Sequence, residues 1–170
     1  MATQREIDIS GGVLVGHDGS QFSAHAVTWA LDYARAKGGM PVTIARVWSL
    51  TTAPRPKTWS RGYVPPLEDY ADAVLDALRE DVAPLIADDP GLDVSCQVAH
   101  GKSGARLIEA SARADILVVG RRGMGGFKGL LLGSVSSQVL SNAQCTVVVV
   151  KSEDDVSSAA QRSVDAGLSD

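Results

Sequence analysis

The chain has 170 residues, 45% of them hydrophobic and 21% charged, with a formal net charge of −4. That length suits one domain with a buried core, and the acidic balance excludes the broad basic surface that nucleic acid normally requires. No apolar run approaches the roughly 20 residues of a membrane helix, the N-terminal residues hold no apolar signal region, and Cys96 and Cys145 lie too far apart for a CxxC site. The expectation is a cytoplasmic protein with inert thiols and no nucleic-acid or membrane partner.

Residues 1–10 read as a flexible lead-in to a domain spanning 11–151. Val13–Gly16 is a short β-branched run closed by Asp18-Gly19-Ser20. A helix follows, with Ser20 or Ser23 as its cap. Val27, Ala30, Leu31 and Ala34 form the i, i+3, i+4, i+7 stripe, and Gly38-Gly39 ends it. Val42–Val47 is the second strand. Ser49–Pro66 contains four prolines and three basic residues, a long loop that points to function or mobility. From Leu67 to Ile86 an apolar face of Ala71, Val74, Leu75, Leu78 and Val82 predicts a helix, with Pro84 kinking or detaching its last turn. Asp88–Gly91 is a turn. Val94–Ala99, Ser103–Arg113, Ile116–Val119, Ser134–Asn142 and Thr146–Val150 alternate strand and helix, and the Ser/Asp/Ala-rich residues 152–170 predict a disordered tail.

Five strands thus alternate with four helices. The strands are apolar almost throughout, which implies burial on both faces. The fold class is therefore α/β, a three-layer, doubly wound, five-stranded parallel sheet. Ligands of such sheets bind beyond the carboxyl ends of the strands, where the strand order reverses. Asp18-Gly19-Ser20 leaves one such end and a glycine-rich segment leaves another.

That segment reads GRRGMGGFKGLLLGS, from Gly120 to Ser134. Its glycines allow main chain to approach a ligand with no Cβ between. Gly133-Ser134 at the start of a helix offers unpaired N–H groups, a positive dipole end and a hydroxyl, all suited to phosphate. Arg121, Arg122 and Lys128 add positive charge. The alternative is a mobile loop with solvated basic residues. Neither common phosphate fingerprint is present: GxxxxGK[ST] ending at Ser103 needs a glycine where Cys96 stands, and GxGxxG from Gly123 meets Lys128 at its third glycine.

The spacing that is present is Gly120-x2-Gly123-x9-Gly133-Ser134. It resembles the G-x2-G-x9-G-[S/T] signature of the ATP-binding branch of the universal stress protein family. VLVGHDGS at Val13–Ser20, the segment around the glycine loop, and CTVVVVK at the last strand resemble the same family, over roughly Gly12–Lys151 in one copy. The resemblance implies a Rossmann-like sheet of order 3-2-1-4-5 and a nucleotide-binding stress-response sensor or regulator. It further implies ATP, with Mg2+ bridging its phosphates. On this likeness Gly120 and Gly123 lie against ribose and phosphate, while Gly133 and Ser134 bind phosphate oxygens. The Val135 N–H and the Ser136 hydroxyl complete the cradle. Asp18 faces the ribose, or else caps the first helix, and backbone near Val47 borders adenine. His17 departs from the family, which more often has a small or apolar residue there; it either contacts the base or is a neutral core residue. Alternatives of function are a slow ATPase or nucleotidyl-transfer enzyme, or a cyclic AMP-binding member. Thr146–Val150, as an apolar edge strand, predicts a homodimer. No motif identifies a regulatory protein partner.

Overall fold

The computed structural model describes residues 6–87, 90–125 and 131–152. Five parallel strands form one sheet in the order β3-β2-β1-β4-β5, as the class and the resemblance led one to expect. These strands are β1 Val13–Gly16, β2 Val42–Trp48, β3 Val94–His100, β4 Ile116–Gly120 and β5 Thr146–Val150. Between them run α1 Gln21–Ala36, α2 Leu67–Ile86, α3 Ser103–Ser111 and α4 Ser134–Asn142. Three strands each extend one residue further than the apolar runs suggest. Helix α3 stops at Ser111, and beyond it the Arg113 carbonyl accepts the amide of Gly11.

Pleating divides the strand side chains between two cores. Val13, Val15, Val42, Ile44, Trp48 and Val118 pack under α1 and α2, against Val27, Ala30, Leu31, Val74, Leu78 and Val82. Leu14, Ala45, Ala99, Leu117 and Val119 face the other way, against Leu107, Ala110 and Val139 of α3 and α4. Each such buried Val, Leu or Ile contributes about 1.5–3 kcal/mol relative to exposure. That burial fixes the strand register, and with it the rim where the loops meet.

Two local expectations are corrected. Residues 6–10 are packed: Ile7 and Ile9 are buried in the second core. Gln97 receives the Asp8 amide and donates to the Asp8 carbonyl, while Arg113 donates to the Ile7 carbonyl. The packed region thus begins before Gly11, because Ile7 and Ile9 supply apolar surface that the second core absorbs. Residues 1–5 lie outside the described residues. Pro84 does not separate the last turn, since α2 is one helix to Ile86. Proline removes a donor whose acceptor would be the Glu80 carbonyl, on the exposed side where water can replace it. The predicted tail, residues 153–170, lies outside the described residues. Among the described residues no helix is long and apolar enough to cross a membrane. Burial raises the thiol pKa of both Cys96 and Cys145 above the ordinary value, which keeps them unreactive.

Candidate functional site

A cavity of about 1120 Å3 opens at the carboxyl rim of the sheet, around the point where β1 and β4 diverge to opposite sides. It is larger than many small-ligand sites. The end of β1 supplies Gly16, His17 and Asp18, and the end of β2 supplies Ala45 to Trp48. The loop after β2 adds Thr51 to Pro54, so the first third of the proline-rich segment is a wall of the site. Glycine-loop residues Gly120 and Arg122 to Gly125, with Leu132 to Ser136, form the opposite wall. All the residues singled out from the sequence, His17, Asp18, Val47, Gly120, Gly123, Gly133, Ser134, Val135 and Ser136, line this one cavity.

The neck of the glycine loop is closed by its own polar groups. The amide of Arg121 donates to the Val150 carbonyl at 2.8 Å and that of Gly133 donates to the Arg121 carbonyl at 2.9 Å. Arg121 is buried, and its Nε donates to the Leu131 carbonyl at 2.5 Å, which ties the two ends of the loop together. The buried Ser136 hydroxyl lies 2.8 Å from the Gly120 carbonyl and 3.1 Å from that of Arg121, so its proton is turned to main chain. Lys128 lies outside the described residues. Helix α4 begins with Gly133 at its N-cap and no side-chain cap. Its first N–H groups therefore open toward the cavity with the positive end of the helix dipole behind them.

Each glycine has its own reason. A Cβ on Gly120 would lie 2.6 Å from the Phe22 carbonyl oxygen, so this glycine is needed for α1 to approach β4. One on Gly123 would collide with the Asp18 carboxylate. On Gly133 it would meet only ordinary contacts, at 3.4 Å or more. Nothing in the fold itself demands glycine there.

Asp18 accepts the Ser20 amide on Oδ1 and the Met124 amide on Oδ2, both at 3.0 Å. The helix cap proper is Ser20, whose side chain accepts from the Ser23 amide. Asp18 thus clips the glycine loop to the start of α1. Burial works to raise its pKa, but hydrogen bonds from Ser20, Met124 and Ser23 outweigh this and hold it below the ordinary value.

His17 is buried, and its Nδ1 lies 2.6 Å from Arg46 Nη2. Arginine has only donors, so Nδ1 accepts and the ring proton sits on Nε2. Burial, and then the Arg46 charge, lower the His17 pKa to about 4, against opposing effects of Asp81 and Asp18. This histidine is neutral at pH 7. Because the unfolded chain binds the proton more readily, stability falls as pH drops from about 6.5 to about 4, by up to about 3 kcal/mol. Chemical denaturation across that range should give this slope, and His17→Gln should flatten it. Asp18, with its depressed pKa, weakens the fold only below that window.

Sequence reasoning missed Arg46 and Asp81. Arg46 projects from β2 and donates to Asp81 Oδ2 on α2 at 2.6 Å. A charged residue inside the apolar run VTIARVW was the available signal. Asp81 has none, being one of several acidic residues along α2. Trp48 is buried at the end of β2, with the His100 ring edge-on at 4.8 Å. His25 is exposed.

A doubly wound parallel sheet, with a cavity at its switch point bounded by an uncapped helix N-terminus, defines a class of small-ligand-binding α/β domains. The model of the universal stress protein family matches residues 12–151, and the chain belongs to that family. It is 34% identical over 148 residues to a universal stress protein of Mycolicibacterium smegmatis, a match covering 84% of this chain and 49% of that protein. The chain spans about half the length of the curated relatives it matches. Among solved structures, a universal stress protein in complex with cAMP is 30% identical, with a TM-score of 0.58 over 83% of this chain and 96% of that one. Universal stress protein UspA from Lactobacillus plantarum shares the fold, with a TM-score of 0.63 at 20% identity over 85% and 99% of the two chains.

Proposed function

We propose that this chain binds an adenine nucleotide, ATP carried with Mg2+, and serves as a stress-response sensor whose loaded state is read by protein partners. The observation that carries this reading is the cavity opening onto the uncapped N-terminus of α4. Gly133 and the main-chain N–H groups of Ser134, Val135 and Ser136 hold phosphate, joined by the Ser134 hydroxyl. Gly120 and Gly123 border ribose and phosphate, Asp18 accepts from ribose hydroxyls, and the backbone at Val47 borders the adenine. Among the described residues no group of three His, Cys, Asp or Glu side chains converges to hold a metal. Mg2+ therefore travels on the phosphates, offsetting charge that Arg122 and the helix dipole leave unbalanced. Binding rather than turnover is the role. Neither His17, with its low pKa and its bond to Arg46, nor Asp18, with its depressed pKa, is poised as a general base near neutrality.

Cyclic AMP is the second reading, favoured by the relative of known structure in complex with that ligand. Thermal-shift titrations of ATP-Mg2+ and cyclic AMP, singly and in competition, separate the two, because the tighter ligand raises Tm further at equal concentration. A shift with neither overturns both readings. The homodimer is proposed through β5, one of the two edge strands, whose Thr146–Val150 edge pairs with a second copy. Sedimentation showing only monomer at micromolar concentration would contradict it.

A further inference from the structure

We infer that Arg46 is the side chain that reads the nucleoside part of the ligand, by donating to an uncharged acceptor on the base or ribose. The inference rests on the nucleotide reading above and adds to it a contact made by a side chain of β2.

Arg46 lines the cavity, with its side chain only 13% exposed. Its Nη2 serves both protein partners, His17 Nδ1 and Asp81 Oδ2, each at 2.6 Å. Its Nε is buried and has no acceptor. A buried donor left unpaired is unfavourable, so the protein alone leaves the guanidinium under-satisfied, and a ligand acceptor that draws the fork toward the cavity supplies the missing bond.

The surroundings decide what kind of acceptor. The point where a Cβ of Gly19 would lie is 3.6 Å from Asp81 Oδ2, 3.7 Å from Met124 Sδ and 3.8 Å from Arg46 Nη2. The guanidinium therefore sits beside the turn that carries Asp18. None of these neighbours belongs to α4 or to the strand end against which its N-terminus packs. Asp81 touches the guanidinium, and Asp18 lies close enough to act on the His17 ring between them. A phosphate placed here would meet two carboxylates for one arginine. A ring nitrogen or a ribose hydroxyl oxygen meets no such repulsion and still receives a charge-assisted bond. Asp81 and His17 are positioning residues: they fix the plane of the guanidinium from α2 and β1.

Calorimetric titration of adenosine, AMP and ATP-Mg2+ into the wild type and Arg46→Met tests this. The substitution should weaken all three by the same factor, roughly tenfold or more. Arg46→Lys keeps the ion pair with Asp81, and with it the fold, but has no Nε–H and should show the same uniform loss. Asp81→Asn should give a smaller loss that is again uniform across the three ligands. Unchanged affinities in both Arg46 variants overturn the inference, and so does a loss that grows with phosphate number, which would make Arg46 a phosphate contact. Wild-type protein that binds none of the three overturns the ATP reading, and the inference with it.

Discussion

Gly120→Ala should lower the thermal stability of the ligand-free protein more than Gly133→Ala does. The new Cβ would lie 2.6 Å from the Phe22 carbonyl oxygen and 2.7 Å from its carbon, both main-chain atoms of α1. No rotamer change relieves contact with backbone, so the helix must move away from the end of β4. Overpacking of this kind costs about 1–3 kcal/mol, a fall in Tm of roughly 2–12 °C for a domain this size. The neck of the loop would shift as well, because the Gly120 carbonyl receives the buried Ser136 hydroxyl. Differential scanning calorimetry without nucleotide measures it. An unchanged Tm would mean that α1 is held loosely against β4, contrary to the packing of Ala26, Val27 and Ala30 in the first core.

Gly133→Val should do the opposite, sparing the fold and removing the ligand. Gly133 has φ −72° and ψ 163°, a conformation open to any residue, and its Cβ would meet Arg122 Cα, Arg121 O and Ser136 Oγ at 3.4–3.6 Å. Valine is a poorer N-cap, at a cost of about 1 kcal/mol. Its methyl groups, however, stand at the mouth of α4, where phosphate must reach the main-chain N–H groups. Charge-assisted bonds to such donors contribute about 1.5–3 kcal/mol each. Loss of one or two weakens nucleotide binding about tenfold to ten-thousandfold. Titration of the folded variant measures this. Wild-type affinity would place the phosphates elsewhere in the cavity.

The two glycines differ in how far the sequence revealed their purpose. The G-x2-G-x9-G-[S/T] spacing marks all three positions alike, since a local pattern registers only that a side chain is absent. That Gly120 yields to Phe22 and Gly123 to Asp18 depends on contacts between distant parts of the chain, which no spacing encodes. The parallel α/β class and the position of the cavity were legible because apolar β-branched runs alternate with helical stripes; crossover handedness still leaves several topologies, and the strand order came from the family resemblance. Ile7 and Ile9 carry a period-2 signal too short to stand out from a polar lead-in, yet the second core absorbs them. Pro84 is tolerated inside α2 where both it and Glu80, whose carbonyl loses its donor, are exposed. At Arg46 the local rule fails in a different way: a cation in a buried strand is tolerated because Asp81 and His17 meet it at the rim of the cavity. Its partners come from α2 and β1, so the sequence shows the anomaly without its resolution.

Isothermal titration calorimetry of the wild-type protein with adenylates, in the presence of magnesium, bears most directly on the claim that the α4 N-terminus grips a nucleotide. The expected result is one saturable site per chain, competed between ATP and cyclic AMP and weakened at least tenfold by Gly133→Val. Absence of heat and of competition with every adenylate would contradict that claim, leaving the sheet and its cavity without the ligand assigned to them.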